Sequence, residues 1–306
     1  DNAASVSPNK NIMLLTPWGD QGLGIQSKKY ADLLLKKGYK VFIFAFLPYK
    51  CIDKEDNLQK NPEEWKNYTD IYYSFNTREG ITDAELRQFV YKFRIGKCIF
   101  PEQCWERVFQ IGAYLKSINV YCFAVPNVEI VRLNEIELFK CFYKILSPSK
   151  ILVDEFRKHK ITNLDYIGHS ATDNTLEKSC TNKIKIVHIA GLNAEIRKKT
   201  IKVVKAFNDF CNKNPHIDCE LVVTIEGNIP NEIYSLLNDK IILIDYHLEH
   251  NKIIDLYKKS HLSIQVSSHE GIGIGFYESI SCSTPVISLN IAPHNEVIID
   301  GINGWL

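Results

Sequence analysis

The sequence predicts an α/β protein with two doubly wound parallel-sheet domains that face a cleft. Apolar runs without polar alternation, such as NIMLLTP at 11–17 and KIKIVHIAG at 183–191, are typical of strands buried on both faces. Segments with helical periodicity alternate with these runs, as they do in a parallel sheet. A polar, turn-rich stretch at 166–183 separates two such series, which indicates two domains.

The first series begins with a βαβ unit. The strand at 11–17 is followed by a glycine loop, WGDQGLG, a predicted helix at 25–39 and a second strand, KVFIFAF. The pattern is unclear between about 50 and 95. It resumes with KCIFP, ERVFQIGAYLKSI, NVYCFAV and KILVDEFRKHK. We expect residues 1–10 to be a disordered arm and residues 11–172 to form the first domain.

The second series is more regular and predicts a domain over residues 173–306. Strands are expected at KIKIVHIAG, CELVVTIEG, KIILIDY, HLSIQVSS and TPVISLN. Helices are expected at 194–214, 231–239, 249–260 and about 273–282. The chain ends just after a last strand begins, which predicts a domain truncated at its C-terminus.

Composition and charge exclude several classes of function. The net charge of +1 gives no overall attraction to nucleic acid. No apolar run is long enough to cross a bilayer, although a peripheral membrane contact stays open. The nine cysteines show no metal-type CxxC pairs, and we expect reduced thiols in a cytoplasmic protein. No metal site is expected.

A glycine-rich turn with two carboxylates, HEGIGIGFYE at 269–278, is the feature that indicates a ligand. Its glycines permit a tight turn after a strand, and the helix that follows offers an anion site suited to phosphate. The GxGxG spacing differs from the GxGxxG of dinucleotide folds. Glu278 can hold a ribose diol and Glu270 sugar hydroxyls, which together suggest a nucleotide sugar. The alternative, that both are solvated acids, is left open by these residues alone.

The segment SSHEGIGIGFYESISCSTPVIS, with NEVIIDGINGWL after it, resembles the donor-site signature of family 4 glycosyltransferases. The residues that fit the order of this signature are Glu270, Glu278, Pro285, Val286, Glu296, Gly301 and Gly304. The resemblance implies the GT-B fold, with two Rossmann-like domains. It also implies transfer of a hexose from a nucleotide-diphosphate sugar, UDP or GDP foremost, to an acceptor hydroxyl with retention of configuration. The acceptor is an unidentified glycan, lipid or protein, and no further cofactor is implied.

The resemblance also implies roles for individual residues. Glu270 would orient the donor sugar, Glu278 would hold the ribose, and Arg197 with Lys198 would neutralise the diphosphate. Residues implied in donor binding are Gly22, Gly24, Gly191, Tyr246, Leu248, Gly271, Gly273, Ile274 and Gly275, and those implied on the acceptor side are Asn127 and Glu129.

The sequence also departs from the family pattern. Leu192 stands where the family commonly has Arg, no His follows the strand at 119–125, and His169 corresponds loosely to an interdomain segment. No Asp-x-Asp motif occurs, which fits a metal-independent enzyme. A nucleotide-sugar binding module without turnover, a GT-B-fold epimerase and a phosphorylase remain alternatives, and an oxidoreductase ranks last.

Overall fold

The computed structural model describes most of the chain, namely residues 10–19, 22–47, 65, 68, 70–102, 106–175, 178, 182–191 and 194–306. The chain divides into two compact units, one up to Gly168 and one from His169 onward. In the described part, no helix combines the length and the apolar character that a membrane span requires.

The first unit contains a seven-stranded sheet in the order β3-β2-β1-β4-β5-β6-β7, and each of its strand pairs is parallel. Its strands are β1 (Asn11–Thr16), β2 (Lys40–Leu47), β3 (Ile71–Thr77), β4 (Lys97–Glu102), β5 (Tyr121–Pro126), β6 (Lys144–Ser147) and β7 (Leu164–Tyr166). Its α-helices are α1 (Gly22–Lys36), α2 (Asp83–Phe93), α3 (Glu106–Ser117) and α4 (Lys150–Lys158). Short 3₁₀ helices span Arg78–Gly80, Val128–Ile130 and Leu133–Cys141.

Strand β1 shows why the apolar runs form a sheet covered on both faces. Met13 and Leu15 belong to one hydrophobic cluster, whereas Leu14 belongs to another. Successive side chains of a strand point to opposite faces, so each apolar residue of the run fills one of two layers. The strand order reverses direction between β1 and β4, which makes the carboxyl ends of these two strands a switch point.

Two features of the first unit differ from the sequence prediction. The unclear region between 50 and 95 contains β3 and α2. Helix α1 begins at Gly22 rather than at residue 25, so Gly22 and Gly24 lie in the first turn of a helix and not in a loop. A Cβ on Gly24 would lie 1.8 Å from the carbonyl oxygen of Gly19. This close approach explains why glycine is needed inside the helix.

The second unit contains a six-stranded parallel sheet in the order β10-β9-β8-β11-β12-β13. Its strands are β8 (Ile184–Gly191), β9 (Cys219–Ile225), β10 (Ile241–Ile244), β11 (Leu262–Gln265), β12 (Val286–Ser288) and β13 (Gly304–Trp305). Its helices are α5 (Thr200–Lys213), α6 (Asn231–Leu236), α7 (His250–Lys259), α8 (Ile274–Ser281) and α9 (His294–Val297). The order reverses between β8 and β11, and this switch point positions the candidate site.

The predicted helix at 194–214 is wrong in its first turn and a half. Helix α5 begins only at Thr200, and Lys199 before it has a left-handed backbone with φ of 57°. Arg197 and Lys198 therefore lie in a loop that precedes the helix. They are not part of the first turn of α5, where the sequence prediction had placed them.

Candidate functional site

The carboxyl ends of β8 and β11 bring two cations and a carboxylate together. Lys198 Nζ lies 2.6 Å from Glu270 Oε1, and Arg197 Nη1 lies 3.4 Å from Glu270 Oε2. The two cations come from the loop after β8, and Glu270 comes from the loop after β11. Since β8 and β11 are adjacent parallel strands, both loops leave the sheet at the same edge. The structure thus brings together the three residues to which the resemblance assigns the donor sugar and the diphosphate.

Backbone and side-chain hydrogen bonds hold the cation loop in place. The amide of Ser268 donates to the carbonyl of Arg197 at 2.9 Å, which ties the two loops directly. Thr200 closes the loop because its amide donates to the carbonyl of Ala194 at 2.9 Å. The buried ring of His188 connects Thr200 to the sheet, since Nε2 lies 2.9 Å from Thr200 Oγ1 and Nδ1 lies 2.7 Å from the carbonyl oxygen of Ile264.

The charge of Glu270 is set by two opposing effects. Burial raises the pKa of this carboxyl, but the nearby positive charges of Lys198 and Arg197 outweigh it, so the net pKa lies below its usual value. Glu270 is 8% exposed and stays ionised at neutral pH. The cluster therefore holds two positive charges and one negative charge, which leaves a net positive charge for an anionic ligand.

The glycine turn after β11 leads into α8 at this edge. Gly273 precedes the helix with φ of 75°, and a Cβ there would lie 2.3 Å from Cδ2 of Phe276. A Cβ on Gly275 would lie 2.7 Å from Oε1 of the buried Gln265. Gly271 is buried and Ile274 is the first residue of the helix. The N–H groups of the first turn of α8 lie at the carboxyl edge of the second sheet, as an anion site there requires.

Glu278 has a partner that the sequence did not reveal. Its Oε1 lies 2.7 Å from Nε2 of His250, the first residue of α7, and the carboxylate is 6% exposed. This contact joins α7 to α8 and leaves Oε2 as a second acceptor that His250 does not engage.

Tyr246 and Leu248 lie in the segment between β10 and α7, close in sequence to His250. Tyr246 is 64% exposed, and an exposed aromatic ring is a group on which a planar base can stack. His247, between these two residues, pairs with Glu226 at the end of β9 through Nδ1 and Oε1 at 3.1 Å. The contact of His250 with Glu278 links this segment to the glycine turn.

In the first unit, Asn127 lies at the carboxyl edge of the sheet in a buried polar chain. Its Nδ2 donates to Gln26 Oε1 at 3.4 Å, and Gln26 Nε2 donates to the hydroxyl of Tyr30 at 3.1 Å. Burial, with a smaller contribution from the charge of Glu102, raises the pKa of Tyr30 to about 12. Glu102 is buried at the end of β4, whereas Glu129 is exposed.

The remaining residues singled out from the sequence lie at the end of β8, against α8 and in the first unit. Gly191 ends β8 with φ of 59° and has open space where a Cβ would point. His169 packs its ring edge-to-face on Tyr277 of α8, with 4.9 Å between centroids. Leu192 lies outside the described residues, and Gly22 and Gly24 belong to the first unit.

Residues 177–306 match the model of the family Glycosyl transferases group 1. Among solved structures, sucrose-phosphate synthase from Thermosynechococcus elongatus is similar over 97% of this chain and 85% of that chain, with 13% identity and a TM-score of 0.71. The lipopolysaccharide outer core galactosyltransferase WaaB has the same coverages, 13% identity and a TM-score of 0.66. MnaA from S. aureus, in complex with UDP, covers 96% and 84%, with 14% identity and a TM-score of 0.61. No curated protein matches the chain by sequence.

These findings confirm the predicted fold. Identities of this size show the fold alone, and that fold is GT-B, with two parallel-sheet α/β units. The resemblance to glycosyltransferases is confirmed at the level of the group 1 match, which lies within the second unit. The match supports glycosyl transfer as the activity.

The group 1 region also contains three histidines that sequence reasoning did not assign to the site, namely His188, His250 and His294. Each contacts a residue distant in sequence, so no local motif identifies it. The local signal is their position in the predicted elements, because His188 lies on β8 and the other two histidines begin helices at the carboxyl edge of the second sheet. In the described residues, no group of three or more His, Cys, Asp or Glu is arranged to hold a metal.

Proposed function

We propose that the chain is a glycosyltransferase that moves a hexose from a nucleotide-diphosphate sugar to an acceptor hydroxyl with retention of configuration. The observation that carries this proposal is the cluster of Arg197, Lys198 and Glu270, which lies where α8 begins. A net positive cluster beside a helix N-terminus suits a diphosphate, and a carboxylate in the same cluster suits sugar hydroxyls. The group 1 match over 177–306 supports the same activity.

The charged residues stabilise the leaving group in this proposal. As the bond between the sugar C1 and the diphosphate oxygen breaks, negative charge accumulates on the diphosphate. Once the donor is bound, Lys198 and Arg197, together with the N–H groups of α8, stabilise that charge without further reorganisation. The acceptor oxygen forms its bond to C1 on the same face, and its proton passes to the departing diphosphate oxygen.

The two carboxylates position the donor. Glu270 accepts hydrogen bonds from sugar hydroxyls once the diphosphate has engaged the cations. Glu278, held by His250 through Oε1, offers Oε2 to a ribose hydroxyl. The exposed ring of Tyr246 is available to the nucleobase. We propose UDP or GDP as the nucleotide and no bound metal, because the two cations supply the positive charge.

Binding and turnover test the proposal separately. Dissociation constants for UDP, GDP and ADP are measured by calorimetry with and without EDTA. Lys198→Met is compared with Lys202→Met, which removes an exposed lysine four residues away on α5. Loss of a charge-assisted hydrogen bond predicts about 10- to 100-fold weaker nucleotide binding for Lys198→Met alone.

Three outcomes would contradict parts of the proposal. Equal effects of both lysine variants would remove Lys198 from the diphosphate site. Binding abolished by EDTA would overturn metal independence. Tight binding of a nucleotide sugar with neither transfer nor hydrolysis, across glycan, lipid and protein acceptors, would indicate a binding module instead of an enzyme.

A further inference from the structure

His294 lies at the carboxyl edge of the second sheet, although no motif includes it. It is the first residue of α9 and follows β12, which pairs with β11. Glu270 lies in the loop after β11, so the two residues leave adjacent strands at one edge. The ring of His294 is fully buried and packs edge-to-face on Phe276 of α8, with 4.8 Å between centroids.

The hydrogen bonds of Ser288 fix the tautomer of His294. Ser288 Oγ donates its single hydrogen to the carbonyl oxygen of Gln265 at 2.9 Å. The same oxygen lies 3.0 Å from Nδ1 of His294, so it must accept from an N–H there. Burial lowers the pKa of His294 to about 4, so the ring is neutral at pH 7. Nε2 therefore carries a lone pair and is a hydrogen-bond acceptor.

That lone pair has no hydrogen-bond partner among the residues that the structure describes, and the atom is buried. A buried acceptor without a donor is costly, so it requires an explanation. The strand order puts His294 and Glu270 at the same edge of the sheet, and the charges of Glu270 and Lys198 act on the pKa of the His294 ring in opposite directions. The donor that completes Nε2 is therefore not one of the described residues.

We propose that Nε2 of His294 accepts a hydrogen bond from a hydroxyl of the donor sugar. This inference rests on the proposed function. A neutral lone pair cannot bind a phosphate or carboxylate oxygen that lacks a hydrogen, whereas a sugar hydroxyl is a donor. Glu270 is an acceptor as well, so the two residues together select a ligand with at least two hydroxyl groups.

Ligand binding must expose Nε2, because the atom is buried in the ligand-free chain. The Lys198–Glu270 ion pair at the same sheet edge is a contact that a diphosphate would open, since phosphate oxygens compete for the lysine. In this sequence of events, the diphosphate binds first and the sugar hydroxyls then reach Glu270 and His294.

Two substitutions separate the two nitrogens of the ring. His294→Asn keeps an amide N–H near the position of Nδ1 for Ser288 but deletes the acceptor at Nε2. His294→Gln places an amide oxygen near the position of Nε2 but loses the contact with Ser288. Dissociation constants are measured by calorimetry for UDP and UDP-glucose, GDP and GDP-mannose, and ADP and ADP-glucose, in the unaltered chain and in both variants.

We expect His294→Asn to weaken the nucleotide sugar by about 3- to 10-fold while nucleoside diphosphate binding stays within about twofold. His294→Gln is expected to recover part of the loss. Equal weakening of both ligands by His294→Asn, or of neither, would overturn the inference and leave the proposed function intact. Absence of nucleotide binding in the unaltered chain would overturn the proposed function itself. Diphosphate binding by a variant also shows that its second unit is folded.

Discussion

Acidification should destabilise the second unit through His188, whose ring is buried between β11 and α5. Burial lowers the pKa of His188 from 6.5 to about 4. As the pH falls through 6.5, the unfolded chain takes up a proton that the folded chain does not take up until about pH 4. Proton uptake by the unfolded state favours unfolding, so the free energy of unfolding falls as the pH drops from 6.5 to about 4. The contribution of His188 to stability is fully present above this range of pH.

The size of the effect follows from the two pKa values. Linkage gives about 2 kcal/mol of lost stability between pH 7.5 and pH 5, and about 3 kcal/mol at lower pH, for a shift of this size. The pH 5 limit keeps the comparison above the range in which most carboxylates titrate. The loss is large compared with the ordinary effect of one residue, since domains are stable by only about 5 to 15 kcal/mol.

Urea unfolding of the chain and of His188→Asn at both pH values isolates this contribution. The variant keeps an amide N–H for the carbonyl of Ile264 and removes the titrating ring. The difference in stability between the unaltered chain and the variant should be about 2 kcal/mol smaller at pH 5 than at pH 7.5. His216→Asn makes the same substitution at an exposed histidine and serves as the control. A stability difference that is the same at both pH values would refute the reasoning.

Two further substitutions test the cluster and the turn. Glu270→Gln removes the carboxylate that neutralises Lys198, so nucleoside diphosphates should bind up to ~10-fold more tightly in calorimetry. The same variant should lose about 3 kcal/mol of stability in urea unfolding, because it leaves the buried cations without their partner. Unchanged affinity would contradict competition between Glu270 and the diphosphate for Lys198. Gly273→Ala should destabilise the chain by about 2 kcal/mol more than Gly191→Ala in urea unfolding. Both glycines have a positive φ, but of the two only Gly273 has a side chain, that of Phe276, where the added Cβ would lie. Equal losses of stability would show that the turn accommodates the methyl group.

The sequence was sufficient for the fold wherever its period was clear. Apolar runs located β1 and β8, and their alternation with helices was enough to predict two parallel sheets. The region at 50–95 was missed although α2 carries apolar residues at helical spacing, with Leu86, Phe89 and Val90 buried. The aromatic and polar residues around this helix obscured the period.

The contacts of the site could not be predicted from local pattern. The contact of Glu278 with His250 spans 28 residues, and that of His188 with Ile264 spans 76. Only the order of the strands in the sheet brings such residues together. That order cannot be deduced from the pattern of each element taken separately. The glycine turn was an exception, because Gly273 and its neighbours act through the local backbone.

The start of α5 shows how a wrong helix boundary can still leave a correct pairing of residues. Arg197 and Lys198 were expected on the first turn of the helix, where two cations would oppose the dipole. The left-handed backbone of Lys199 ends the loop before the helix begins, and no residue type in AEIRKKT announces it. The two cations lie in the loop before α5 and pair with Glu270, whose loop is tied to theirs through Ser268. The hydrogen bond from the amide of Thr200 to the carbonyl of Ala194 closes this loop. The cluster therefore depends on the loop that carries the two cations as well as on their charges.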